Sequence, residues 1–136
     1  MKVMGLDIGD VRIGVAISDA IEMFASPYTV IDRKKEKAVV KIAEIIKENN
    51  IGKVVAGLPK SLNGEEKVQA EKVREFVKKL ESVLKIEIIF VDERFSTVAA
   101  DRMLSEATKK GAKDKRKVVD KVAATYILQT YLDRKK

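Results

Sequence analysis

The 136-residue sequence has no cysteine and no histidine. Without cysteine there are no disulfides and no thiolate chemistry, which is compatible with a reducing, cytoplasmic setting. Without histidine the commonest general base and the commonest zinc ligand are missing. Any catalysis must then rest on carboxylates, hydroxyls, lysine or arginine. No apolar run is long enough to span a membrane, and the N-terminus lacks the basic-then-apolar layout of a signal peptide. There is also no aromatic-rich strand of the kind that stacks single-stranded bases, so a nucleic acid would be recognised by backbone and shape. Asn and Gln are few beside Lys and Glu, a bias found in heat-tolerant proteins.

What is present describes a globular protein with a heavily charged surface: 46% hydrophobic residues, 36% charged, and a formal net charge of +7. The length predicts one domain over residues 1–136, large enough for a real core and too small for two lobes. The basic balance favours a polyanionic partner, with nucleic acid ahead of an anionic membrane surface. No stretch combines a basic helical face with exposed large apolar residues, so a membrane is not expected as a partner.

The first nineteen residues organise the chain. Lys2 to Ile8 and Arg12 to Ser18 read as strands joined by Gly9-Asp10-Val11, a β-hairpin. In the first strand Val3, Gly5 and Asp7 share one face, which puts an acid near the end of an otherwise apolar strand. A partly buried carboxylate costs several kcal/mol without a partner. Gly5, Gly9 and Gly14 leave one side of the ribbon bare, so a metal ion or a phosphate could come close. The simpler alternative is an Asp that ends the strand and hydrogen-bonds its own turn.

Tyr28 to Ile31 is a plausible third strand. Asp32 is expected to cap a helix running to about Asn49, with Ala38, Ile42, Ile45 and Ile46 at helical spacing. Lys53 to Leu58 reads as a buried strand ending at Pro59. A second helix spans Glu65 to Leu84 with Val73, Phe76, Val77, Leu80 and Leu84 on one face. Ile86 to Val91 is another buried strand, running into Asp92-Glu93-Arg94. Ser96 or Thr97 caps a third helix to about Ala107, and Thr108 to Lys117 is expected as a mobile basic loop. The last helix runs from about Arg116 to Leu132. This order predicts an α/β fold: a mixed sheet with an antiparallel N-terminal ribbon and helices on both faces. Sites in such sheets form beyond the carboxyl ends of the strands.

Asp7, Glu93 (with Asp92 beside it) and Asp120 are the candidate acids. On a helical wheel Val118, Val119, Val122, Ala123, Tyr126 and Thr130 face the core, and Asp120 falls at the edge of that stripe. Taken alone, Asp120 reads as an exposed acid in a helix first turn. Together the carboxylates would repel one another unless a cation neutralised them. Mg²⁺ or Mn²⁺ suits such oxygen donors, and two ions about 4 Å apart support phosphodiester cleavage without His or Cys.

The stretches GLDIGDVRIGVAISD, VVAGLPKSLNG, VDERFST and KVVDKVAATYILQTYL resemble, in order and spacing, the YqgF family, across essentially the whole chain. That resemblance implies a ribonuclease H-like fold and a metal-dependent nuclease, described in the family both as Holliday junction resolvase and as pre-16S ribosomal RNA nuclease. By motif it assigns Asp7, Glu93 and Asp120 as catalytic metal ligands, with Asp92 a fourth or a substitute for Glu93. Asp10 stands where the family more often has a small hydroxyl residue, and it either joins the site or caps the turn. Arg12, Arg94, Lys113, Arg116 and Lys117 are candidates for phosphate contacts, with solvated or structural ion-pair roles as the alternatives. Structured precursor RNA is the preferred substrate and branched DNA the second. A non-catalytic RNA-binding module is the competing class. An actin-like ATPase, which shares an Asp-x-Gly hairpin, would need two lobes. Nothing marks a dimer face, so a monomer is favoured.

Overall fold

The computed structural model describes the backbone of residues 1–59, 64–93 and 115–134, and the side chains of residues 1–58, 67–92 and 121–134. The elements are β1 (Lys2–Ile8), β2 (Arg12–Ser18), β3 (Ala25–Asp32), α1 (Ala38–Glu48), β4 (Ile51–Pro59), α2 (Gly64–Leu84), β5 (Ile88–Glu93) and α3 (Lys115–Arg134). The five strands form one sheet in the order β3-β2-β1-β4-β5. β1, β2 and β3 pair antiparallel, whereas β4 pairs parallel with both β1 and β5. β1 is the central strand, which explains why its sequence is apolar on both faces up to Asp7.

Two cores sandwich the sheet. On one face Met4, Leu6, Ile13, Val15, Val54 and Ala56 meet Ile42 and Ile45 of α1 and Val73, Val77 and Leu80 of α2. On the other, Val3, Ala16, Val55 and Val91 meet Ala124, Ile127, Leu128 and Leu132 of α3. Each fully buried Leu or Ile contributes roughly 1.5–3 kcal/mol. No helix among the described residues is long and apolar enough to cross a membrane.

Several boundaries differ from those read in the sequence. β3 begins at Ala25 rather than Tyr28, because Ser26, Pro27 and Tyr28 lie exposed on a sheet edge and carry no hydrophobic signal. Asp32 does not cap α1. It ends β3, and its Oδ1 accepts the Lys34 backbone N–H at 3.0 Å to hold a turn. α1 starts six residues later, after Lys37, which makes no side-chain cap. β5 starts at Ile88 rather than Ile86, because the chain leaves α2 through Lys85 at φ 52°, whose N–H bonds the Glu81 carbonyl. Asp92 and Glu93 are therefore strand residues. The helix expected over 96–107 lies outside the described residues, as do 108–114 of the basic loop. Lys115, Arg116 and Lys117 belong to α3.

Candidate active site

Asp7 is half-buried on the α3 face of β1, near the strand's carboxyl end. Its partner in the β1–β2 register is Gly14, which places no side chain beside it. Arg12 lies on the same face two residues along β2, a diagonal neighbour of Asp7 about 7–8 Å away between Cα atoms. Asp32 stands directly opposite Arg12 in the β2–β3 register. The opposite face secures this end of β1: Arg33 Nη1 donates to the Gly9 carbonyl at 2.8 Å and Gln69 Nε2 to the Ile8 carbonyl at 3.4 Å.

The bare glycine ribbon accommodates a helix rather than a ligand at Gly5. A Cβ built there would lie 2.7 Å from Leu128 Cβ and 3.0 Å from the Ala124 carbonyl oxygen. Gln129 and Tyr131, late in α3, meet Ala25 and Lys53, which lie level with Val3 at the start of β1, so the two elements run antiparallel. Two strand residues advance about 6.6 Å and four helical residues about 6 Å. Gly5 lies against Ala124 and Leu128, so Asp7 lies level with the preceding turn of α3, over 120–124. The described part of α3 buries Val122, Ala123, Ala124, Ile127, Leu128 and Leu132. Tyr126 and Thr130, assigned to the core from the sequence, are only half-buried. α3 begins at Lys115 with no acid in its first turn, so position 120 is past the turn the sequence reading gave it.

Strand parity separates the two acids of β5. Val91 is buried under α3, and Glu93, two residues on, shares its parity, while Asp92 is exposed and shares that of Ile88 on the α1/α2 face. Glu93 is in register with Pro59 of β4, two strand spacings or about 10 Å across the sheet from β1. Asp10 is also displaced from Asp7. It sits in the β1–β2 turn, where its carboxylate meets Lys72 Nζ of α2 at 3.5 Å, an exposed pair of small energetic value. Arg116 and Lys117 precede position 120 by four and three residues, neighbouring positions on the helix surface. Arg94 and Lys113 lie outside the described residues. Sequence reasoning missed Arg33, whose role depends on a turn between β3 and α1 that no local pattern announces.

Among the described residues no three acidic, cysteine or histidine side chains converge. The side chains of Glu93 and Asp120 are outside that set. A donor set of Asp7, Glu93 and Asp120 is all oxygen, as Mg²⁺ or Mn²⁺ requires.

The family described as "RuvX: Holliday junction resolvase" matches residues 1–134. The chain belongs to the RuvX family. One RuvX relative, from Fusobacterium nucleatum, is named "Putative pre-16S rRNA nuclease" and is 63% identical over 136 residues, covering 99% of both chains. Another of that name, from Caldanaerobacter subterraneus, is 49% identical over 137 residues and covers 100% of this chain and 99% of its own. Two solved structures share the fold at low identity. Thermus thermophilus RuvC in complex with a Holliday junction substrate has a TM-score of 0.60 at 15% identity, covering 99% of this chain and 95% of that one. Fowlpox virus resolvase with Holliday junction DNA has a TM-score of 0.61 at 14% identity, covering 98% of each. The sheet order and flanking helices are thus those of the RuvC-like ribonuclease H fold that the sequence resemblance implied.

Proposed function

We propose that this RuvX-family chain is a metal-dependent nuclease that hydrolyses phosphodiester bonds in structured nucleic acid, with precursor 16S ribosomal RNA as its substrate. The observation that carries the chemistry is the register. It supports Asp7 and Glu93 as acids on the α3 face at the carboxyl ends of β1 and β5, with Glu93 two residues beyond the position in register with Asp7. Family membership and the 63% identical relative support the substrate.

Asp7 is the central ligand, held on a strand clamped from behind by Arg33 and Gln69. Glu93, on β5, and Asp120, on α3, are the other two proposed ligands. Two divalent cations held there would lower the pKa of an attacking water and stabilise the leaving oxygen. The water oxygen attacks phosphorus, the P–O bond to the leaving sugar breaks, and that oxygen takes a proton. Arg12 lies on the same face for a phosphate oxygen, and Arg94, Lys113, Arg116 and Lys117, near Glu93 or Asp120 in the sequence, are further candidates for phosphate contacts.

A second reading, resolution of four-way DNA junctions, has the family description behind it. A resolvase cuts two strands and works as a symmetric dimer. The test is cleavage of a precursor 16S fragment against a labelled four-way junction, with sedimentation at assay concentration. Faster RNA cleavage by a monomer supports the first reading. Paired junction cuts by a dimer would replace it with the second.

A further inference from the structure

The described surface has a basic groove that the catalytic account does not use. A cavity of about 530 Å³ opens where the β1–β2 turn meets α2, lined by Arg33, Lys34, Lys72, Lys79, Phe76 and Asp10, with Glu75 at its margin. Four cations face two carboxylates, so its net charge is positive. Arg33 is fixed before any ligand arrives: its guanidinium lies 4.7 Å from the Phe76 ring centroid and donates to the Gly9 carbonyl. A planar group already ordered loses little freedom on meeting a phosphate. Lys72 also lines the groove, 3.5 Å from Asp10.

The groove's position gives it a purpose. Asp10 on its rim is three residues from Asp7, so at most about 11 Å separates their Cα atoms. A neighbouring phosphate on the same strand as one held at Asp7 reaches the groove by passing over the β1–β2 turn. We propose that this groove is a second contact for the sugar–phosphate backbone of the substrate, flanking the cleavage site and on the opposite face of the sheet from α3. This rests on the nuclease reading for its occupant, while the groove itself rests on the described side chains.

The test is RNA binding as a function of salt, read in an Asp7→Asn background, with Lys72→Gln/Lys79→Gln against a control pair, Lys47→Gln/Lys85→Gln. All four lysines are exposed, and the control pair sits at the other end of the sheet. Losing two phosphate contacts should raise Kd about tenfold near 100 mM salt and reduce the slope of log K against log[salt] by about 1.5–2. The control pair should leave the slope within about 0.5. Equal Kd and slope for the groove and control variants would overturn the proposal. The two readings fail separately. A wild-type protein that cleaves nothing, with the groove variants still binding weakly, refutes the nuclease and supports the groove. Normal wild-type cleavage with unchanged groove-variant binding does the reverse.

Discussion

Gly5 of β1 and Leu128 of α3 touch so closely that a single added methyl would lie 2.7 Å from the leucine Cβ. The contact sets how near the last helix comes to the central strand. It therefore sets how near the preceding turns of α3 come to Asp7, two strand residues further along β1.

Gly5→Ala is expected to cost about 1–3 kcal/mol, because helix backbone rather than a flexible side-chain tip must move. Cleavage should fall with it as α3 lifts from β1. The double variant Gly5→Ala/Leu128→Gly tests the mechanism: removing the Leu128 Cβ frees the space the new methyl needs and should make the combined loss smaller than the sum of the single losses. Additive losses in thermal unfolding would show that the contact does not set the spacing.

The two adjacent acids of β5 should behave oppositely. Glu93→Gln should lower cleavage about a hundredfold or more, since even residues one shell beyond a metal cost 10–100-fold. Asp92→Asn should stay within a few-fold of wild type, because Asp92 is exposed on the α1/α2 face. Equal losses in single-turnover assays would place the parity assignment in error.

Asp10→Asn should retain metal-dependent cleavage and bind RNA at least as tightly as wild type. Asp10 meets Lys72 rather than Asp7, and that exposed pair contributes at most about 1 kcal/mol. Loss of cleavage comparable to that of Asp7→Asn would bring Asp10 into the metal site.

Arg33→Met keeps the stem over Phe76 while removing the guanidinium that holds the β1–β2 turn. A charge-assisted hydrogen bond and a ring contact together suggest a loss of about 1–3 kcal/mol in urea unfolding. No change would mean that Gln69 and the strand pairing hold the turn unaided.

Much of this was legible in the sequence. The bounds of β1 and β2 match the structure because apolar runs and a Gly-Asp turn mark both ends. The apolar face read for α2 holds too, with Val73, Phe76, Val77 and Leu80 buried. What failed needed tertiary information. Asp32 carries the chemistry of a helix cap and of a turn equally, and only the path from β3 to α1 chose the turn. On α3 the alanines blur the wheel, so a stripe through Tyr126 and Thr130 looked as apolar as the true one through Ala124 and Leu128. Asp92 and Glu93 could not be sorted until it was known that Val91 faces α3.

The most direct test of the central claim compares wild type with Asp7→Asn on a precursor 16S RNA fragment, with Mg²⁺ or Mn²⁺ and with chelator. The account expects wild-type cleavage that chelator abolishes, with the variant slower by about a hundredfold or more and still bound to RNA. Cleavage by Asp7→Asn at the wild-type rate would contradict it.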